Sequence, residues 1–347
     1  LGSGVRLLFI SILLPVFLFV SSEIFIFKKI INKKFSLKVF FQDLFKIFLV
    51  FYLFLIMFWT DAYSNIFLKP FELMMEVIFN SESVLSVGQS LLNGNVVNIL
   101  EDNINFYIPT VIFFKTPEYI LALYAFSILI LTKYNNIFVK RFENFNYKLI
   151  YIFVLIFGTW IIFLISSLPL YDGIRLFLFY IPVLYILPAL IVYFILTNFK
   201  LLISKILLVV LSPLIFLYIF NFLSLTPFNY IYLNNFVKYP ETKFENDYLA
   251  ISLNELIKKS KFLNDNNTKI NICGVGEGQV KYYLEKFEYF KTRLVADEEM
   301  PDYTIMTNRL KYSDSINKVT SCFNFYNGEI ISKVVRNNII LSVIKKN

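Results

Sequence analysis

Arg175 and Lys115 are the two residues of this sequence best placed to do chemistry. Arg175 closes the stretch Leu168-Pro169-Leu170-Tyr171-Asp172-Gly173-Ile174-Arg175, a short turn between two long apolar segments. A guanidinium fixed at such a turn offers paired N–H donors, which suit a phosphate. Asp172 can cap the helix that follows, and with Tyr171 it can position Arg175. The plainer reading of the same residues is a cap and an arginine that snorkels to the membrane surface. Lys115-Thr116-Pro117 brings a second cation and a hydroxyl to the start of another apolar segment. Alone it reads as an interfacial lysine ahead of a helix-starting proline; beside Arg175 it is a second donor to the same anion.

Carboxylates are the other chemical resource. Asp61, Glu101 and Asp102 lie between apolar segments and can act as general bases or hold a divalent cation. Their spacing selects none of them, so no metal site is assigned. The sequence has no histidine. That excludes Ser–His–Asp and Cys–His catalysis and every His-ligated metal. Two cysteines, Cys273 and Cys322, are free to be a disulfide outside the cytoplasm or two buried thiols. Gly274, Gly276 and Gly278 follow a strand-like run, but G-x-G-x-G is one residue short of the dinucleotide fingerprint. They read as a strand-to-helix turn, not a cofactor loop.

The elements that position these residues are apolar. Mean hydropathy is +0.64, with 41 Phe and 23 Tyr among 347 residues, and a bilayer is the natural solvent for runs this poor in polar groups. Segments 5–27, 46–59 (extended backward), 117–131, 149–168, 174–196 and 201–223 are candidate spans. The expected fold is therefore an all-α polytopic membrane bundle of about six spans, followed by a small α/β domain. The transmembrane region covers 1–223, with a long loop at 60–116, and the tail covers 224–347. In the loop Phe67, Phe71, Met74, Met75 and Ile78 recur at helical spacing opposite Lys69, Glu72 and Glu76, which predicts an amphipathic helix.

Charge sets the orientation. Lys28, Lys29, Lys33, Lys34 and Lys38 follow the first span, Lys133, Lys140, Arg141 and Lys148 the third, and Lys200 and Lys205 the fifth. The 60–116 loop is acidic instead. The positive-inside rule then places the loop and the tail outside the cytoplasm. The net charge of +8 does not mark a nucleic-acid binder, because from Ser224 onward 17 basic residues face 14 acidic ones, a net of only +3. In the tail, runs at 269–273, 303–307, 323–325 and 339–344 read as strands and 279–287 as a helix, with Asn327-Gly328 as a turn. The chain starts at Leu1 without a signal-peptide layout and reads as the C-terminal part of a longer protein.

The ordered motifs carry a resemblance. Trp59-Thr60-Asp61-Ala62-Tyr63, Leu92-Asn93-Gly94, Tyr107-Ile108-Pro109, Lys115-Thr116-Pro117, the Arg175 stretch, Thr226-Pro227-Phe228-Asn229-Tyr230-Ile231-Tyr232-Leu233-Asn234 and Phe244-Glu245-Asn246-Asp247-Tyr248 run through nearly the whole chain. Together they resemble bacterial membrane glycosyltransferases of the GT-C type, similar to the dolichyl-phosphate-mannose protein mannosyltransferases. The resemblance implies transfer of a sugar from a polyprenyl-phosphate donor to a protein, lipid or glycan acceptor at the outer face of a bacterial cell membrane. It also implies a catalytic acid in a first outside loop that has no counterpart here. Leu176 and Thr226 stand where relatives carry histidine, which removes a donor beside Arg175. The rival functions are a transporter of lipid-linked glycans, which would carry polar residues along its spans, and a non-catalytic assembly protein.

Overall fold

The computed structural model describes residues 13–27, 36–58, 65, 68–69, 72, 89–98, 106–165, 178, 180–264, 267–296, 299–313 and 318–347. Along the chain come helices α1 (Leu13–Ser22) and α2 (Leu37–Phe58), with a π-helical turn Glu23–Phe27 after α1. A hairpin of β1 (Gln89–Leu92) and β2 (Asn95–Asn98) follows. Then come α3 (Tyr107–Lys115), α4 (Glu118–Lys133), α5 (Asn135–Arg141), α6 (Phe145–Ile165), α7 (Ile181–Leu184), α8 (Ile186–Thr197) and α9 (Leu202–Ser224). The remainder is α10 (Pro240–Lys243), α11 (Leu253–Lys259), β3 (Lys269–Cys273), α12 (Glu277–Lys286), β4 (Arg293–Leu294), β5 (Tyr303–Thr307), β6 (Leu310–Ser313), β7 (Lys318–Ser321), α13 (Cys322–Phe325), β8 (Glu329–Arg336) and β9 (Ile339–Lys346).

Contacts divide the chain into two compact units. The first draws on Leu1–Ser86, Leu123–Leu170 and Arg175–Thr197, the second on Val87–Ala122, Tyr171–Ile174 and Asn198–Asn347. In the first, aromatic rings zip the helices together: Phe138 of α5 stacks on Phe145 of α6 at 5.1 Å and on Phe194 of α8 at 6.0 Å. Glu23 is fully buried there, and the Tyr151 hydroxyl donates to it.

The second unit is built on a five-stranded mixed sheet of order β4-β3-β5-β9-β8, with β4, β3 and β5 parallel and β9 antiparallel to both β5 and β8. Side chains alternate between its faces. Ile270, Ile305 and Leu341 pack under Leu253, Leu256, Val280 and Leu284 of α11 and α12, whereas Cys273, Met306 and Val343 meet Cys322 and Phe323 on the opposite face. In the β8–β9 pair Val334 faces Ser342 and Val335 faces Ile340, so Leu341 is an extra residue in β9. A bulge of this kind changes which face the following residues present. Cys273 and Cys322 form a disulfide 49 residues apart in sequence. In chain-entropy terms a loop of that size stabilises the fold by about 4 kcal/mol.

The six-span all-α bundle is corrected by this structure. Among the described residues one helix, α9, is long and apolar enough to cross a membrane, and at most two if α3 and α4 count as one broken span. Proline, which deletes a backbone donor and clashes with the preceding turn, accompanies two of the interruptions, although α9 runs unbroken through Pro213. Pro117 lies in the break between α3 and α4, across which the axis bends by 111°. Pro182 and Pro188 lie in the 174–196 segment, whose described part is two short helices, α7 and α8. The apolar helix α8, Ile186–Thr197, is shorter than a span.

The tail is α/β, with β3 and β5 at the expected positions and α12 close to it. The 323–325 run is helix α13 rather than strand, started by Ser321, whose Oγ accepts the Phe323 N–H. The turn between adjacent strands is Asn337-Asn338, with φ of +48° and +62°, not Asn327-Gly328. Both residues are left-handed, as a two-residue hairpin turn demands. Gly274 does form the turn after β3. At its φ of +69° a Cβ would lie 2.8 Å from Arg309 Cβ and 2.9 Å from Thr307 Oγ1. Of the expected amphipathic helix, Lys69 and Glu72 fall within the described residues and are paired at 3.3 Å; Phe67, Phe71, Met74, Met75, Glu76 and Ile78 lie outside them.

Candidate functional site

Lys115 is half-buried because of where it falls on α3. Tyr107, Ile108 and Val111 form the buried face of this helix, and position 115 lies one turn beyond Val111 on that same face. The helix ends immediately afterwards. Pro117 restricts the residue before it to extended backbone, and Thr116 is extended at φ −84°, ψ 130°. The carbonyls left free at a helix C-terminus need donors, and Asn234 supplies them. Its Nδ2 donates to Phe113 O at 2.7 Å and to Thr116 O at 3.1 Å, and its backbone N–H donates to Phe114 O at 2.8 Å.

The segment carrying Asn234 holds the site from a second side. Lys115 Nζ donates to Tyr230 O at 3.0 Å. Tyr232 Oη donates to Glu118 Oε2 at 3.2 Å, and the Asn235 N–H donates to Glu118 Oε1 at 2.6 Å, which fastens the segment to the first turn of α4. The Tyr230 hydroxyl donates to Asp247, a fully buried carboxylate. Asp247 also accepts the N–H groups of Ile251 and Ser252 at 3.0 Å each and the Ser252 hydroxyl. Ser252 Oγ lies 2.6 Å from Ser342 Oγ, on the strand with the bulge. Burial, then the neighbouring carboxylates, push the Tyr230 and Tyr232 hydroxyls up, so both stay protonated donors.

Around Lys115 these elements leave a small, open-mouthed cleft whose enclosed part is about 20 Å³. Its walls are Leu91 and Leu92 of β1, Tyr107 and Val111 of α3, Leu233, Phe244 and Tyr248, with Ser90 and Glu245 as further polar groups. The hairpin forms one wall because Gly94 N–H donates to Lys243 O at 3.0 Å and Leu92 bridges Phe244. Lys115 makes one hydrogen bond and no ion pair among the described residues. Its ammonium is lowered to about 8 by burial. A half-buried ammonium with a single carbonyl acceptor is poorly compensated, and a bound anion improves its pairing. Two ammonium N–H donors remain for a ligand oxygen.

No family model, curated protein or solved structure matches this chain.

Of the residues singled out in the sequence, Lys115 alone falls in this cleft. Arg175, Tyr171 and Asp172 lie outside the described residues, as do the acids Asp61, Glu101 and Asp102. Among the described residues no three His, Cys, Asp or Glu side chains gather to hold a metal ion. Sequence reasoning gave no role to Tyr230, Asn234 or Asp247. Their signal was present as polar-tipped residues two apart, Tyr230, Tyr232 and Asn234, in a segment directly after a long apolar helix.

Proposed function

We propose that this chain belongs to a membrane glycosyltransferase that takes a sugar from a polyprenyl-phosphate donor, and that the Lys115 cleft receives the donor's phosphate. The observation that carries the reading is the half-buried ammonium of Lys115, with one protein hydrogen bond and two N–H donors left, in a cleft whose other walls are apolar and aromatic apart from Ser90 and Glu245. A sugar–phosphate–lipid diester has one negative charge and a hydrocarbon chain, which match the one cation and the largely apolar walls. In displacement at the anomeric carbon the phosphate is the leaving group, and a cation fixed against it stabilises the charge that develops there.

Location supports the same reading. Asn221, near the end of α9, donates to Asn235 at 3.2 Å, and Asn234 next to it clamps the Lys115 helix. The cleft is thus tied to one end of the helix that is long enough to cross a bilayer; with α9 as a span, that end stands at the level of lipid headgroups. A disulfide between Cys273 and Cys322 is at home in an oxidising compartment, in keeping with an extracytoplasmic C-terminal lobe. The acceptor on that side would be protein, lipid or glycan.

The test is binding of a polyprenyl-phosphate sugar to the full chain in lipid nanodiscs. Lys115→Met is expected to weaken it by tenfold or more. Unchanged affinity with the fold intact removes the phosphate from this cleft.

A further inference from the structure

The end of α9 carries a surface that sugar transfer does not use. Phe113, on α3, and Phe236, just after the Asn234 clamp, stack at 5.8 Å with ring planes 27° apart. Stacked aromatic pairs usually sit in a core. These two are 44% and 59% exposed, and Tyr239, three residues on, is 71% exposed. Lys238 stands exposed between Phe236 and Tyr239. An open aromatic pair beside an exposed lysine is the composition of a membrane interface rather than of a water-facing surface.

Depth can be read from the hydrogen bonds. Asn235, next to Phe236, is bonded to Asn221, and Asn221 lies three residues before the last residue of α9, Ser224. At 1.5 Å of rise per residue that is about 4–5 Å inside the helix end. Aromatic side chains of interfacial elements sit about 5–10 Å into the headgroup–acyl boundary. One turn deeper, Tyr218 of α9 meets Tyr232 and Tyr119, each with ring centroids 5.4 Å away. Of these, Tyr232 is buried in the core and bonded to Glu118, while the part-exposed Tyr218 and Tyr119 stand at the level an aromatic girdle occupies.

We infer that Phe113 and Phe236 insert into the headgroup–acyl boundary of the bilayer and anchor the cleft-bearing unit on the membrane surface. The inference rests on the reading of α9 as a membrane span. Lys238 then faces lipid phosphates. The partner is the bilayer itself: the ring pair is tied through Asn235 to the end of α9, a helix whose Val209 and Phe216 are 72% and 70% exposed.

The experiment uses the full chain in phosphatidylcholine vesicles whose lipids are brominated either near the headgroup or deep in the acyl chains. Trp59 and Trp160, the two tryptophans of the sequence, are replaced by Phe, and one reporter is introduced at a time. Phe216→Trp reports on the span; Phe236→Trp, with Phe113→Trp as an independent second reporter, reports on the anchor. Shallow bromines are expected to quench the Phe236→Trp and Phe113→Trp emissions at least twofold, and deep bromines the Phe216→Trp emission. Quenching of Phe216→Trp without quenching of either anchor reporter overturns the anchor and leaves the span. Absence of quenching at all three sites overturns both.

Discussion

A buried carboxylate and a half-buried ammonium meet at one tyrosine, and they are treated in opposite ways. Asp247 receives the Tyr230 hydroxyl, two backbone N–H groups and the Ser252 hydroxyl, so its two oxygens are saturated by the protein. Lys115 gives one hydrogen bond, to the backbone carbonyl of the same Tyr230. A carboxylate with four donors holds α11 and the 230–235 segment in place. An ammonium with one acceptor keeps capacity for something that is not protein. The difference separates a charge that builds the site from a charge that serves it, a distinction that residue type and burial alone do not make.

The strongest way to break the comparison is to remove the acid. Asp247→Ala leaves two buried N–H groups and two hydroxyls without their acceptor, and each such group costs about 1–3 kcal/mol. A loss of about 4 kcal/mol is expected in denaturant unfolding of the full chain in detergent. A loss under about 1 kcal/mol would mean that Asp247 is not the anchor described. Tyr230→Phe comes next. It deletes the bond to Asp247 but keeps the carbonyl that Lys115 uses, so about 1–3 kcal/mol of stability should go while donor affinity stays within about twofold. Loss of affinity equal to that of Lys115→Met would show that the two charges act as one unit.

Lys115→Met should do the reverse. Replacing a buried charge by an apolar side chain of similar length is often neutral or stabilising, so the unfolding midpoint should hold or rise. Donor binding should fall by tenfold or more, which is about 1.4 kcal/mol. A destabilised Lys115→Met protein with normal affinity would move Lys115 into the structural class with Asp247.

Legibility in the sequence follows the range of the interactions involved. β3 and β5 were legible because each is a short apolar run between polar residues, and α12 because it starts from the Gly274–Gly276 turn. The β1–β2 hairpin was readable in principle from Asn93-Gly94, whose φ values of +49° and +88° are those of a tight two-residue turn. Lys115 was legible as a cation beside a helix-starting proline. What makes it a candidate site was not. Its isolation depends on Tyr230 and Asn234, more than a hundred residues away, and no spacing rule reaches that far. The span count failed partly for a local reason. Hydropathy sums apolar residues without asking whether one helix or several result, as at Pro117 and in the 174–196 segment with Pro182 and Pro188, while Pro213 leaves α9 whole.

The smallest effect is also the one with the most specific sign. Burial lowers the Lys115 ammonium to about 8 in the folded chain, while in the unfolded chain it keeps its ordinary value of 10.5. Between those values the unfolded state binds more protons, so this residue's contribution to stability increases as pH rises from about 8 to 10.5. Anion binding needs the protonated form and must move the other way. With a phosphodiester donor, whose charge is constant in this range, the apparent Kd should rise about fourfold from pH 7 to pH 8.5. Lys115→Arg keeps its charge throughout, and it should flatten that dependence even if its larger head weakens binding. Lys115→Met should be flat as well, at low affinity. A wild-type profile that is flat over the same range would remove the Lys115 ammonium from donor binding, and a profile that persists in Lys115→Met would assign it to another group. Asp247 gives no such opposition between stability and binding, because its donors come from the protein and leave with it only when the chain unfolds.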